Sequence, residues 1–297
     1  MKVRLGDYIQ EYSVKNKYDE DFPVYSVTNK KGFCKDFFSK DVASKDKTTY
    51  KIVPRGCFAY NPSRINVGSV DWQRKEEKVI VSPLYNVFSV SPKLNQQYLY
   101  YYLKSKISLY YIKNVATGSV RDNLKLSMLY EFPINLPDIM EQQCIVKILD
   151  TVCSLILIYQ QKLDQYDNLI KARFVEMFGD EKYPSRTVNE LCTNIVDCPH
   201  TTPKYEGKLI NPAIRTSEIK KGYIVWDSMR YVSDEEYEER VIRLRPQAGD
   251  IVYGREGAFG NAAILPKGYK FCLGQRVMLL RPNITKCMSE YMLHAVI

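Results

Sequence analysis

Apolar residues in the middle of the chain recur at intervals of seven, and this spacing predicts one long α-helix over residues 138–179. Neither Gly nor Pro occurs between Asp138 and Phe178. Asp138 can cap the start of the helix with Glu141 as its capping partner, and Gly179 can supply the left-handed residue that commonly ends a helix. At about 1.5 Å per residue, such a helix would be on the order of 60 Å long.

Two apolar series run along this helix four positions apart, and together they form the seam that is typical of a coiled coil. The predicted helix-pairing residues are Ile145, Leu149, Val152, Ile156, Tyr159, Leu163, Tyr166, Ile170 and Met177. A helix buried inside one globular domain is the alternative, but such helices average about 11 to 12 residues. The pattern therefore favours a spacer that packs against another long helix.

The segments before and after the helix repeat one another in order and in spacing. The first copy contains VYSVTNKKG, PRGCFAYNPSRINVGSV and IVSPLYNVFSVSP, which begin at Val24, Pro54 and Ile80. The second copy contains IRTSEIKKG, AGDIVYGREGAFGNAAI and KFCLGQRVMLLRP, which begin at Ile214, Ala248 and Lys270. Each copy predicts a polar strand ending at Lys-Gly, a Gly-led apolar strand with an Arg-bearing loop, and an alternating strand that stops at Pro.

These patterns predict an α+β fold in which two similar domains are joined by a long coiled-coil-forming helix. The predicted bounds are 1–137 for the first domain, 138–179 for the spacer helix and 180–297 for the second domain. The tyrosine-rich helical segment Gln96 to Ile112 has only the short counterpart SEYMLHAVI in the second copy. The second domain is therefore expected to be incomplete at its C-terminus.

Composition adds a preference for an acidic partner. The chain has 297 residues, of which 45% are hydrophobic and 26% charged, as is ordinary for a soluble globular protein. Its formal net charge of +9 fits a polyanion such as nucleic acid, although charge alone is a weak indication. The eight cysteines stand singly without a CxxC pair, and only two histidines accompany them. Reduced thiols are therefore expected, and no metal site.

The sequence predicts no membrane partner. The longest apolar run in the predicted helix, Thr151 to Tyr159, is far shorter than the ~20 residues that span a bilayer. The charged start of the chain is not followed by the apolar stretch of a signal peptide. A cytoplasmic location is therefore expected.

Several local motifs resemble those of a known family. They are the TGS at Thr117 to Ser119, the run NLKLSMLYEFPINLP, the EQQCIVKILD that opens the helix and the ARFVEMFGD that closes it. Together with the repeat order, they resemble the specificity subunit of a type I DNA restriction-modification system over the whole chain. The sequence departs from that pattern, because the second target-recognition domain is expected to be incomplete and to lack a second spacer helix.

The resemblance implies a non-catalytic subunit whose two recognition domains each read one half of a split DNA target, while paired antiparallel spacer helices fix the separation of the halves. It implies double-stranded DNA, modification methylase subunits and a motor-nuclease restriction subunit as partners. S-adenosylmethionine is expected on the methylase subunit, and no cofactor on this chain. Because the second copy departs from the family pattern, an alternative stays open. In this alternative, the chain is a truncated or silent subunit that acts only as a coiled-coil scaffold or self-associates in trans through the spacer helix.

A DNA reader needs Arg or Lys for guanine edges, Asn or Gln for adenine edges, and further donors for phosphate. The loop after the Gly-led strand offers Asn61, Arg64 and Asn66 in the first copy. Its counterpart in the second copy offers Arg255 and Asn261. A solvated turn is the alternative reading of both loops.

Three further polar segments supply candidate DNA contacts, with an ordinary loop or a satisfied surface pair as the alternative. The first segment is TGSVRDNLK. The second is DCPHTTPKYEG, which resembles a stretch common near the start of recognition domains in this family. The third is the Gln-Arg pair at the start of the last strand. Their predicted DNA-binding residues are Ser119, Arg121 and Lys125; His200, Thr201 and Lys204; and Gln275 and Arg276.

Catalytic motifs are not convincing in this sequence. NPSR begins like the NPP-aromatic motif of amino-methyltransferases but lacks its second proline and its aromatic residue, and GREGAFG lacks the GxGxxG spacing of a cofactor loop. Asp71 and the run Glu76 to Lys78 are too close together for separate strands to present their acids to one metal. No catalytic and no metal-binding residue is predicted.

Overall fold

A computed structural model describes residues 2–35, 46–115, 123–179, 183–207, 210–257 and 259–297. The chain divides into two compact units, Met1–Gln160 (unit 1) and Gln161–Ile297 (unit 2). Helices and antiparallel strands occur in both units, and one long helix crosses the boundary between them. The expected α+β class with a long central helix is confirmed, while the predicted domain bounds stay predictions.

The described part of unit 1 forms short strands followed by three helices before the long one. The strands are β1 (Lys2–Arg4), β2 (Ile9–Glu11), β3 (Ser26–Thr28), β4 (Gly32–Cys34), β5 (Lys51–Pro54), β6 (Phe58–Tyr60), β7 (Val70–Trp72), β8 (Lys78–Val81), β9 (Asn86–Val90) and β10 (Pro133–Asn135). The helices are α1 (Gln96–Lys104), α2 (Lys106–Val115) and α3 (Leu126–Tyr130). Short 3-10 turns occupy Leu5–Asp7 and Ile65–Val67.

The main sheet of unit 1 has the strand order β2-β9-β6-β7 and is antiparallel at each pairing. Every residue of β6 is buried, because Phe58 and Tyr60 face one hydrophobic cluster and Ala59 faces another. This two-sided burial explains why β6 reads as a continuous apolar run rather than as an alternating strand. Phe58 stacks on Phe88 of β9 with ring centroids 5.1 Å apart.

The described part of unit 2 contains a second set of strands and three short helices. Its helices are α5 (Val188–Leu191), α6 (Asp234–Arg240) and α7 (Ser289–Val296), and a 3-10 turn occupies Thr216–Glu218. Its strands are β11 (Cys192–Asp197), β12 (Asn211–Ile214), β13 (Arg230–Val232), β14 (Ile251–Gly254), β15 (Ala262–Ile264), β16 (Cys272–Leu273) and β17 (Val277–Pro282).

The main sheet of unit 2 has the order β11-β17-β14-β15, which repeats the order found in unit 1. In both sheets the Gly-led strand lies between the last strand and the strand that follows the Arg-bearing loop. A smaller sheet, β13-β12-β16, contains the parallel pair β12 and β16. The similarity of the two segments in sequence thus corresponds to a common strand order.

The long helix, α4, runs from Ile139 to Phe178. The carboxylate of Asp138 accepts a hydrogen bond of 2.9 Å from the backbone N–H of Glu141, which satisfies one of the free donors at the start of the helix. The expectation of a left-handed Gly179 is wrong, because this residue is not among the glycines with positive φ. Its N–H instead donates to the carbonyl of Val175 at 2.6 Å, so the helical hydrogen bonding continues into Gly179.

Each unit packs an equivalent short helix against its own part of α4. In unit 1, the hydroxyl of Tyr101 on α1 donates to the Asp150 carboxylate at 2.5 Å. In unit 2, the ring of Tyr291 on α7 meets Phe178 edge to face, with centroids 4.9 Å apart.

By length and composition α4 is long and apolar enough to cross a membrane. The run from Thr151 to Tyr159 alone suggested otherwise, but apolar residues continue along the helix on both sides of it. One such helix is a weak indication of a membrane, because the exposed apolar seam of a coiled coil has the same composition.

Candidate nucleic-acid interface

In unit 1, the loop after β6 is a tight turn that ends in a buried anchor. The side-chain oxygen of Asn61 accepts a hydrogen bond from the N–H of Ser63 at 3.1 Å, as in an Asx turn. Ile65 is fully buried, and Gly68 ends the 3-10 turn with a left-handed φ of 84°. Between these fixed points, the side chains of Arg64 and Asn66 are exposed.

Lys125 is held beside this loop by its buried neighbour. The backbone N–H of Leu124 donates to the carbonyl of Pro62 at 3.1 Å, and the hydroxyl of Tyr60 donates to the carbonyl of Leu124 at 3.0 Å. Burial raises the pKa of Tyr60 well above its usual range, so the phenol stays protonated and able to donate even in alkaline solution. Lys125 itself is exposed. Ser119 and Arg121 lie outside the described residues.

A shallow pocket of about 450 Å³ borders the same loop at Asn66. Its other lining residues are Lys106, Leu109, Tyr110 and Lys113 of α2. Lys106, Tyr110 and Lys113 follow the i, i+4, i+7 spacing that places side chains on one helix face. Sequence reasoning missed these residues, although no Asp or Glu lies between Glu77 and Asp122 to offset their charge.

In unit 2, three chain segments meet at one edge of the main sheet. β11 and β14 end there and β17 begins there, as the pairings of Asp197 with Met278 and of Gly254 with Val277 show. The loops beyond this edge carry most of the candidate residues of the second copy.

Polar contacts join these loops directly. The guanidinium of Arg255 forms an ion pair with the carboxylate of Asp197, and Nε2 of His200 lies 3.4 Å from Oδ2 of the same carboxylate. Nε2 of Gln275 donates to the hydroxyl of Thr202 at 2.9 Å. The structure therefore brings together His200, Arg255 and Gln275, which are distant in sequence.

Arg276 adjoins this cluster with a backbone conformation that is uncommon for a non-glycine residue. Its φ is +62°, and its carbonyl accepts the N–H of Arg255 at 3.0 Å. Its Nε lies 3.8 Å from a carboxylate oxygen of Glu256, while most of its side chain is exposed. Strained backbone of this kind persists only where the surrounding contacts fix it.

Thr201 and Asn261 also have polar groups engaged inside unit 2. Buried Arg240 donates to the carbonyl of Thr201 at 3.2 Å and to its hydroxyl at 3.4 Å, which fixes the loop after β11. The amide of Asn261 donates to the carbonyl of Ile219 at 3.1 Å. Lys204, in contrast, is exposed. The role of each predicted residue as a DNA contact stays a prediction.

The predicted seam of α4 lies on the surface of the chain. Ile145 and Leu149 are half-buried, and the remaining seam residues are exposed, from 46% for Val152 to 62% for Leu163. Leu157 and Ile158 are also exposed, although they lie outside the predicted seam. The middle of α4 is thus apolar around more of its circumference than a two-helix seam requires.

The start of α4 contains a fully buried polar residue that sequence reasoning did not single out. Oε1 of Gln142 accepts the N–H of Asn95 at 2.8 Å, and its Nε2 donates to the carbonyls of Lys93 at 3.0 Å and Pro137 at 2.9 Å. Through these hydrogen bonds, Gln142 of the EQQC motif holds the start of α4 against the preceding segments of unit 1. Within the described residues, no group of three or more His, Cys, Asp or Glu side chains is placed to hold a metal ion.

The chain is similar to one family over more than half its length. Residues 5–166 match the type I restriction modification DNA specificity domain. The mixed α+β fold with a long central helix agrees with this match. The chain belongs to the type I restriction-modification DNA specificity family, and the resemblance noted from the sequence is confirmed. The description of this family assigns it DNA specificity in type I restriction-modification systems.

One solved structure shares the fold at low sequence identity, and two others match at lower TM-scores. One comes from a study of complex assembly and conformational transition of the type I R-M system; it is 14% identical with a TM-score of 0.57, covering 99% of this chain and 78% of that one. The HsdS subunit from Thermoanaerobacter tengcongensis is 16% identical, with a TM-score of 0.44 and coverage of 99% and 78%. The type I S subunit from M. genitalium is 16% identical, with a TM-score of 0.43 and coverage of 100% and 78%. No curated protein matches.

Proposed function

We propose that this chain selects the DNA target of a type I restriction-modification complex by reading double-stranded DNA with the loops at one edge of each main sheet. The observation that carries the proposal is the meeting of three separate loops in unit 2, through the contacts of Asp197 with Arg255 and of Thr202 with Gln275. Loops fixed to one another can present side chains to base edges at defined positions, which sequence-specific recognition requires.

Charge supports the same proposal for unit 1. Arg64, Lys125 and the lysines of α2 lie around one loop, and the stretch between Glu77 and Asp122 has no acidic residue. Basic side chains displace counterions from the DNA backbone and so contribute affinity that falls with added salt. Base-edge contacts from Arg64 and Asn66 would add the sequence preference.

The proposal includes docking of modification methylase subunits along α4. A coiled-coil partner would cover the seam at Ile156, but Leu157 and Ile158 project about 100° and 200° further around the helix. Exposed apolar surface of this extent is typical of protein interfaces. The methylase would carry S-adenosylmethionine, and the motor-nuclease subunit would join through the complex, which would work in the cytoplasm.

The test is selection of bound duplexes from a random pool, at a stated salt concentration, by the chain co-purified with the methylase subunit of its system. We expect a stable complex that enriches one motif. A complex that binds every duplex equally would refute sequence reading, and failure to co-purify would refute methylase docking.

A second function is favoured by the exposed seam of α4, which suits pairing between two copies of this chain. In that case, the chain would act as a scaffold or would dimerise in trans. The mass of the isolated chain in solution shows whether it is a dimer, as the scaffold and the trans-dimer both require, or a monomer. A dimer that enriches a palindromic motif would indicate two identical readers, and a dimer that ignores DNA would indicate a scaffold alone.

A further inference from the structure

Both units carry an exposed Lys-Lys-Gly turn at the same place in the repeat. Lys30 and Lys31 are exposed in the hairpin between β3 and β4, and Lys220 and Lys221 are exposed in a turn closed by a bridge between the residues flanking it. The glycine that follows each pair is left-handed, with φ of 61° in unit 1 and 92° in unit 2. A left-handed glycine reverses the chain sharply, and each lysine pair thus lies in a turn.

A side-chain donor anchors each turn at the equivalent carbonyl. In unit 1, Nζ of Lys104 donates to the carbonyl of Asn29 at 2.6 Å. In unit 2, Nδ2 of Asn261 donates to the carbonyl of Ile219 at 3.1 Å. Asn29 and Ile219 both immediately precede their Lys-Lys pair. Different donors therefore fix the same backbone point in the two copies.

We call the loop after β6, which contains Arg64, and the loop after β14, which contains Arg255, the reading loops. Each Lys-Lys turn is also hydrogen-bonded to the strand that follows the reading loop of its unit. In unit 1, the N–H of Phe33 donates to the carboxylate of Asp71 on β7 at 3.0 Å. In unit 2, the N–H of Gly222 donates to the carbonyl of Ala262 on β15 at 2.9 Å. The lysines are thus fixed beside the loops that contain Arg64 and Arg255.

We infer that the two Lys-Lys turns bind the phosphodiester backbone of double-stranded DNA beside each reading loop. The inference rests on the proposed function and adds a site to it. Within the described residues, no ion pair joins Lys30, Lys31, Lys220 or Lys221 to a carboxylate. Lysine presents a compact charge on a flexible stem, which suits phosphate rather than the bidentate reading of a base. The turns should therefore set position and affinity, and the loops should set sequence.

The test compares the full chain with two double variants, Lys30→Gln with Lys31→Gln and Lys220→Gln with Lys221→Gln. Binding is measured from 50 to 200 mM salt on a duplex with the enriched motif and on a scrambled duplex of the same length. We expect each double variant to reduce the slope of log K against log salt by about two, because each lysine contributes about one. Both duplexes should weaken by the same factor, and the enriched motif should be unchanged.

Lys93→Gln and Lys286→Gln provide matched controls. Both are exposed lysines that follow the ends of β9 and β17, at the sheet edges opposite the reading loops. They should leave the salt slope as it is in the natural chain. Wild-type slopes in the double variants, equal losses in the controls or an altered motif would overturn the inference. A natural chain that selects no motif would overturn the proposed function instead, and one that binds no duplex at all would overturn both.

Discussion

Arg255 and Asp197 form an ion pair across 58 residues of sequence, and this pair joins the loop after β14 to the end of β11. The other terminal nitrogen of Arg255 donates to Glu256 at 2.7 Å. A candidate base reader in unit 2 is therefore held by two carboxylates. Its counterpart Arg64 is exposed, and the described residues include no acidic partner for it. The two loops occupy equivalent places but present their arginines differently.

Replacing Asp197 by Asn should raise the affinity of the chain for any duplex, because it removes a negative charge from the candidate interface and releases Arg255. Arg255→Ala should weaken DNA binding while lowering the free energy of unfolding by no more than about 1 kcal/mol, the range for partly exposed ion pairs. Filter binding and urea unfolding measure the two effects. Unchanged DNA binding in both variants would mean that the pair serves only to hold the loops.

Arg64→Ala should weaken binding to the preferred duplex by about 1 to 3 kcal/mol if Arg64 reads a guanine. Arg64→Lys is the matched control, because it keeps the charge but loses the bidentate geometry. A base reader should lose motif preference in both variants. Recovery of wild-type binding by Arg64→Lys, with equal losses on all sequences for Arg64→Ala, would make Arg64 a phosphate contact.

Gln142→Ala should lower the free energy of unfolding by about 1 to 3 kcal/mol, because it leaves the half-buried N–H of Asn95 without its acceptor. The neighbouring Gln143→Ala changes an exposed side chain of the same type and should have little effect. Thermal or urea unfolding of the two variants gives the comparison. Equal stabilities would show that solvent replaces the hydrogen bonds of Gln142.

Ile156→Asp should abolish assembly through α4, because it would bury an unpaired carboxylate in the seam. Gln161→Asp places the same charge outside the predicted seam and should leave assembly intact. Sedimentation of each variant, alone and with the methylase subunit, measures the effect. Normal assembly of Ile156→Asp would mean that this residue is not in a helix-pairing seam.

Thiol labelling should distinguish the cysteines of α4 from those of the core. Burial raises the pKa of the Cys272 thiol to about 12, so it should resist maleimide at pH 8, whereas exposed Cys144 and Cys153 should react. Since the folded pKa lies above the ordinary value near 9, the stability linked to Cys272 is present below pH 9 and is lost as the pH rises toward 12. Mass spectrometry of labelled peptides measures the pattern, and rapid labelling of Cys272 in the folded chain would contradict it.

The long helix, the repeated order of strands and the family could all be predicted from the sequence. The seven-residue spacing along α4 is a local property, so it can be recognised in the sequence without knowing what α4 packs against. The repeat can be recognised because two segments that bury similar strand faces need similar patterns of apolar residues. Local motifs such as EQQC carried the resemblance without any knowledge of their contacts.

Tertiary contacts, in contrast, determine which polar groups remain available at the sheet edges. The amide of Asn261 is used to anchor Ile219, and the backbone of Thr201 is held by Arg240, whereas Arg64 is exposed. Gln142 is buried, and Gly179 does not adopt the expected left-handed conformation. These outcomes depend on contacts between residues far apart in sequence, and on where each backbone donor finds its acceptor. No local pattern contains that information, because the partner of each group is chosen by packing.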